Sequence, residues 1–195
     1  MPNKKINIYQ FKISLLGVSP KVWRRIQVPE NYKFSDLHDA IQDAMGWYDC
    51  HLHEFSLVSP KTGLEDRVGM LDDGSWEQDS EVLDETKIKI AKYFSNENKL
   101  ARYEYDFGDC WEHDVLFEKI LPAEDGVKYP RCVDGKNACP PEDCGGIWGY
   151  KEMLKIINNP KHPEHLEWKQ WLDEEFDPEE FDAESVIFHN SKSSN

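Results

Sequence analysis

Tyr103-Glu104-Tyr105-Asp106-Phe107-Gly108-Asp109-Cys110-Trp111-Glu112-His113-Asp114-Val115 alternates aromatic or apolar side chains with acidic ones on both sides of a glycine. A period of two marks a strand with one buried face, and a Gly-Asp pair between two such runs predicts an antiparallel hairpin over 102–121. Its register decides the chemistry, because a slip of one residue exchanges the faces. A two-residue turn at Gly108-Asp109 sets Glu104 opposite His113 and Asp106 opposite Trp111, an acid and imidazole cluster suited to proton or metal work. A three-residue turn sets Phe107 opposite Trp111, Tyr105 opposite His113 and Tyr103 opposite Val115. Burial of one aromatic face favours the second register, which leaves Asp106, Glu112 and Asp114 toward solvent.

Downstream, Cys139-Pro140-Pro141-Glu142-Asp143-Cys144-Gly145-Gly146-Ile147-Trp148-Gly149-Tyr150 is dense in residues that set special backbone dihedrals, yet it keeps aromatic anchors. That mixture describes an ordered loop system and the place to expect a site. Prolines followed by acids start a helical turn. Cys132, Cys139 and Cys144, with Cys110 or His113 from the hairpin, supply enough donors for a tetrahedral zinc. Against zinc stands the absence of a tight Cys-x2-Cys knuckle; the alternative is small, partly buried thiols in a packed loop.

Toward the N-terminus, Tyr9, Phe11, Ile13 and Leu15 alternate with polar residues, and Val22, Ile26 and Val28 do the same after a turn at Gly17–Lys21. The first 28 residues therefore read as a second hairpin, with Arg24 on its apolar face and suited to pairing with a buried acid or a ligand. Ser35 as N-cap, Asp36 in the first turn, Leu37, Ile41, Ala44 and Met45 on one side and Gly46 at the end predict a helix. His51, His53, Phe55 and Leu57 share one face of a following strand. His53 is there either a ligand or a hydrogen-bonded histidine at the edge of the core, the second being favoured. Residues 60–75 read as a polar loop, 87–94 as a short strand or helix, and 150–157 as a helix. Pro163 opens a further helix with Trp168, Trp171 and Leu172 on its apolar side. Seven acids between Glu174 and Glu184, with Phe176 and Phe181 among them, read as a strap anchored by the two rings. Residues 1–189 form one domain in this reading, and 190–195 a frayed tail.

The fold class that follows is α+β: an antiparallel sheet built from hairpins with several packed helices, in a single compact domain. With 195 residues, of which 39% are hydrophobic, the chain is long enough for one good core. It has no apolar run of membrane-spanning length and no signal-peptide core, so a cytoplasmic location is expected. The net charge of −15 is uneven: residues 1–33 carry +6 and the remainder −21. The overall acidity repels phosphates and disfavours nucleic acid as a partner.

The chain resembles a known family at Val22-Trp23-Arg24-Arg25, at Leu37-His38 through Gly46-Trp47 to His51-Leu52-His53-Glu54-Phe55, at Tyr105-Asp106-Phe107-Gly108-Asp109 with Trp111 and His113, and at Cys139-Pro140-Pro141-Glu142-Asp143-Cys144-Gly145-Gly146 with Gly149-Tyr150. Phe176-Asp177-Pro178-Glu179 with Phe181-Asp182 extends the likeness. It is to the plasmid pRiA4b ORF-3-like proteins, also called TnpR-type passenger proteins of insertion elements. The resemblance implies a compact α+β domain found on plasmids and mobile elements and names no reaction. No serine-nucleophile context in this chain supports strand exchange.

Three readings of function follow. The first is a non-enzymatic binding or accessory module for a protein partner, with His53, Asp106, Asp109, Trp111, His113, Glu142 and Asp143 in its surface together with the acidic strap. The second is a metal-dependent hydrolase or nuclease using Asp106, Asp109 and His113, which requires those side chains to converge on one point. The third is DNA binding through Lys21, Arg24 and Arg25.

Overall fold

The computed structural model describes residues 6–70, 82–172 and 176–189; the expected frayed tail and the start of the acidic strap lie outside them. Alternation at the N-terminus becomes β1 (Asn7–Leu15) and β2 (Trp23–Pro29), followed by helix α1 (Phe34–Met45). Then come β3 (His53–Val58), β4 (Glu65–Gly69), β5 (Val82–Asp84), β6 (Leu100–Tyr105), β7 (Trp111–Pro122) and β8 (Arg131–Lys136). Helices α2 (Gly146–Ile157) and α3 (His165–Trp171) close the chain. All eight strands form one sheet in the order β5-β4-β3-β6-β7-β1-β2-β8. The α+β class holds, but the sheet is mixed, because β4 and β5 pair in parallel. β4 itself arises inside the stretch expected to be loop: its polar sequence hides a strand that buries only Val68 and Gly69.

The sheet is two-faced. Phe11, Ile13, Phe55, Tyr103, Tyr105, Trp111, Val115 and Phe117 are buried on one face. α1 lies against them, with Phe34 edge-on to Phe55 at 5.1 Å. Lys12, Arg25, Arg102, Asp114, Glu118 and Asp134 alternate with these residues, and the other face is accordingly a lattice of ion pairs such as Arg25–Glu118 at 2.8 Å and Arg102–Asp114 at 3.3 Å. The exposed Arg102–Asp114 pair stabilises little and the partly buried, two-pronged Arg25–Glu118 pair somewhat more, so the apolar face carries the fold.

In the central hairpin Tyr105 stands opposite Trp111 and Tyr103 opposite His113, with a five-residue loop from Asp106 to Cys110. Neither expected register survives. The buried face of the three-residue reading is retained for Tyr103, Tyr105, Trp111, His113 and Val115 because the shift from it is an even number of residues, whereas Phe107 is exposed and Asp106 is buried, the reverse of that reading. The longer loop is closed by Cys110 N–H donating to Asp106 O at 2.7 Å. α1 begins two residues earlier than expected: Lys33, not Ser35, is the N-cap, and its N–H donates to the Asp36 carboxylate at 2.8 Å. Gly46 ends the helix at φ 84°, a conformation that favours glycine. Residues 87–94 hold a single 3-10 turn over Ile90–Lys92. α3 buries none of its residues; Trp171 lies half-exposed with its ring edge-on to Trp168.

Arg24 is 2% exposed, and among the described residues no acid pairs with it. Its guanidinium donates to the carbonyls of Ala44 at 2.8 Å, Trp23 at 2.9 Å and Lys136 at 3.1 Å, while the Phe181 ring lies 3.7 Å from its centre. The acidic strap is thus anchored through Phe181 over a buried cation, joining α1, β2 and β8. Arg24→Ala leaves three carbonyls short of a donor and the Phe181 ring without its support. The expected loss is about 3 kcal/mol, read as a lower urea midpoint with unchanged denaturant slope.

Candidate functional site

Three segments meet at one end of the buried face: 46–52 between α1 and β3, 106–110 between β6 and β7, and 137–145 between β8 and α2. Trp47 stacks on Tyr105 at 5.0 Å and donates its indole N–H to Pro140 O at 2.9 Å. The Tyr105 hydroxyl accepts the Cys50 N–H at 3.0 Å and makes a short hydrogen bond with the Glu142 carboxylate. Glu142 also accepts the Tyr48 N–H at 3.0 Å. Burial and that carboxylate raise the Tyr105 hydroxyl well above the usual tyrosine value, so it remains protonated and can donate. Asp109 accepts the Gly145 N–H at 3.2 Å. A Cβ on Gly146 (φ 64°) would come within 2.6 Å of Asp109 O; only glycine lets α2 start against the hairpin loop.

Among the described residues, the non-glycine positions with positive φ are Asp49, Asp106, Cys110, Asn137 and Asp143. All lie in these three segments. Left-handed backbone at non-glycine residues costs energy and gathers where a site over-determines the chain. Two clusters of imidazole and carboxylate sit here. In the first, His51 Nε2 lies 3.2 Å from Asp143 and 3.7 Å from Asp106. In the second, His38 Nε2 meets Asp49 at 2.8 Å and His53 Nε2 meets Glu85 at 2.6 Å, while the two rings stack at 3.4 Å and 5°. Tyr103 OH stands 2.8 Å from His38 Nδ1 and accepts from Gln42 at 2.9 Å. Burial pulls His38 below the usual histidine value. Asp39, partly buried and facing Asp49 and other acids, is pushed up to about 6.

The residues singled out in the sequence divide accordingly. Asp106 and Asp143 come together, with His51 between them. Glu142 ties Tyr105 to Tyr48, and Asp109 holds the start of α2. Trp111 is buried beside Trp47 at 6.1 Å. His53 is a hydrogen-bonded core histidine. His113 is fully buried, 3.3 Å from Tyr103 O and edge-on to Trp47 at 5.4 Å. Neither His113 nor Asp109 belongs to a cluster with Asp106, so the trio required of the hydrolase is not assembled. Among the described residues, Cys132, Cys139, Cys144 and His113 form no ligand cluster either. Burial pushes Cys144 up to about 12 and Cys139 higher, which keeps both as neutral thiols. Lys21, Arg24 and Arg25 make no common cationic face: Arg24 is buried and Arg25 is paired with Glu118 and Asp134.

His51, His38, Asp49, Glu85 and Tyr105 are the site residues the sequence reading missed. The His-x-His spacing was visible, but it placed both rings on one strand face. The strand begins only at His53, which frees His51 to turn toward the other loops.

No helix among the described residues is long and apolar enough to cross a membrane. The family model for the plasmid pRiA4b ORF-3-like protein matches residues 7–185. An uncharacterized protein of Sinorhizobium fredii, y4hQ, is 34% identical over 166 residues, covering 85% of this chain and 80% of its own. The crystal structure of MM3350, a protein of unknown function from Methanosarcina mazei Go1, is 49% identical with a TM-score of 0.88, covering 95% of this chain and all of the other.

Burial lowers His113 from 6.5 to about 4, and the unfolded chain protonates first as pH falls. The neutral, buried His113 therefore contributes stability fully present above about pH 6.5, which is lost as pH drops toward 4. Urea midpoints from pH 7.5 to 4.5 are expected to fall more steeply for the wild type than for His113→Gln, by up to about 3 kcal/mol. Parallel profiles would refute this role.

Proposed function

The chain belongs to the plasmid pRiA4b ORF-3-like family, and we propose that it acts there as a non-enzymatic binding module, a cytoplasmic accessory protein of plasmids or mobile elements. Its interaction surface is the face made by segments 46–52, 106–110 and 137–149. One observation carries the reading: Tyr48, Phe107 and Trp148 are 82%, 48% and 78% exposed on a backbone pinned by the Tyr105, Glu142 and Asp109 hydrogen bonds. Large rings held out to solvent on a rigid scaffold lose little conformational freedom on binding and supply the anchors typical of interface hot spots. Trp148 meets only the Lys151 ammonium, 5.6 Å from its ring centre, among the described cation contacts. The acidic strap borders this face: Phe181 covers Arg24, and the Ala138 N–H donates to Pro178 O at 3.1 Å.

The partner is expected to be a protein, because a polyanion would meet Glu142, Asp143 and Asp49 at the same surface. Proteins retained by the full chain from host cytoplasm are to be identified and their affinities measured. The variant Tyr48→Ser/Phe107→Ser/Trp148→Ser should weaken a true partner at least about 100-fold. Lys12→Ser/Arg102→Ser, on the ion-paired sheet face, should leave that affinity unchanged. Equal affinity of the triple variant and the wild type would remove the reading.

A further inference from the structure

We propose that His51 Nε2, Asp106 Oδ2 and Asp143 Oδ1 are ligands of a divalent transition-metal ion at the centre of this face, an inference that rests on reading the three loops as a binding surface. The three donor atoms lie within 4.8 Å of one another, spaced widely enough to leave room for an ion between them. Charge-assisted hydrogen bonds run at about 2.7–2.9 Å, as the His38–Asp49 and His53–Glu85 contacts next door do at 2.8 and 2.6 Å. His51 Nε2 stands farther off, at 3.2 and 3.7 Å from its two carboxylate oxygens. Donors bound about 2.0–2.2 Å from a tetrahedral ion lie roughly 3.3–3.6 Å apart. The nitrogen is buried and makes no hydrogen bond, an arrangement that is costly unless something takes its lone pair.

The carboxylates are prepared in the same sense. Asp106 uses Oδ1 to accept the Gly108 N–H at 2.9 Å, which orients Oδ2 toward His51 as a supporting hydrogen bond orients a metal ligand. Among the described residues, neither Asp106 nor Asp143 is ion-paired with a lysine or arginine. Asp143 is 73% exposed on its side chain, which leaves coordination positions open to water or to a donor from a bound partner. One imidazole and two carboxylates suit a borderline ion such as zinc. The neighbouring His38–Asp49–His53 group is less suited: one nitrogen of each ring already serves a carboxylate, and rings stacked within 5° direct their remaining lone pairs side by side instead of to one point.

The test is titration of cobalt(II) into the untagged, reduced full-length chain. Uptake of about one equivalent, with visible d–d bands and no thiolate-to-metal charge transfer, is expected for this donor set. Asp143→Asn should weaken binding at least about tenfold without lowering the urea midpoint, since asparagine tolerates the left-handed backbone there. His51→Ala should weaken it further, and Asp114→Asn, on the ion-paired sheet face, should leave it unchanged. No uptake, a thiolate charge-transfer band, or loss in Asp114→Asn but not in Asp143→Asn would each overturn the site. The Tyr48/Phe107/Trp148 variant should bind cobalt normally. Failure of cobalt uptake therefore strikes this inference alone, and an unchanged partner affinity in that triple variant strikes only the interaction surface.

Discussion

The Tyr105 side chain is the point on which the binding face depends. It ends the buried aromatic row of β6 and β7, and its ring and its hydroxyl do different work. The ring stacks on Trp47, which in turn reaches Pro140 O. The hydroxyl, isolated from bulk water, joins the Cys50 amide to the Glu142 carboxylate. A buried polar atom must be satisfied, so the loop after α1 and the Pro-Pro-Glu-Asp turn are drawn to the same place. Segments far apart in the chain become one surface because a single phenol needs both.

The sheet beneath divides its tasks by face. Burial of its aromatic side against α1 supplies the cohesive energy, whereas the ion pairs of the opposite side keep that face in water. Arg24 is the exception that ties the far end together. A guanidinium satisfied by three carbonyls and one ring holds α1, β2, β8 and the strap in fixed relation. The carbonyls and the ring replace the water it loses, which is why it needs no carboxylate.

The two imidazole clusters differ in what surrounds them. His38 and His53 lie inside the core with their nitrogens turned to Asp49 and Glu85, an arrangement that fixes the geometry of α1 against β3. His51 lies at the rim, between carboxylates from two other loops. One polar group is spent on the fold, and the other faces outward among exposed rings. The same short stretch, from Asp49 to His53, serves both.

Local pattern was enough to determine the two hairpins, the buried aromatic face, the α1 stretch with its glycine stop, and the loops in which a site would lie, because those depend on side-chain period and on backbone preferences of single residues. It also marked Asp106, Glu142 and Asp143 without saying what they meet. Tertiary structure alone decided the hairpin register, the parallel pairing of β5, the carbonyls and ring that meet Arg24 in place of an acid, and the encounter of His51 with two distant aspartates. A strand pattern is unchanged by a shift of two residues, so period cannot set loop length. A histidine's role depends on the groups that surround it in space, and here those come from loops 55 and 92 residues further along the chain, brought together by burial of the rings beneath them.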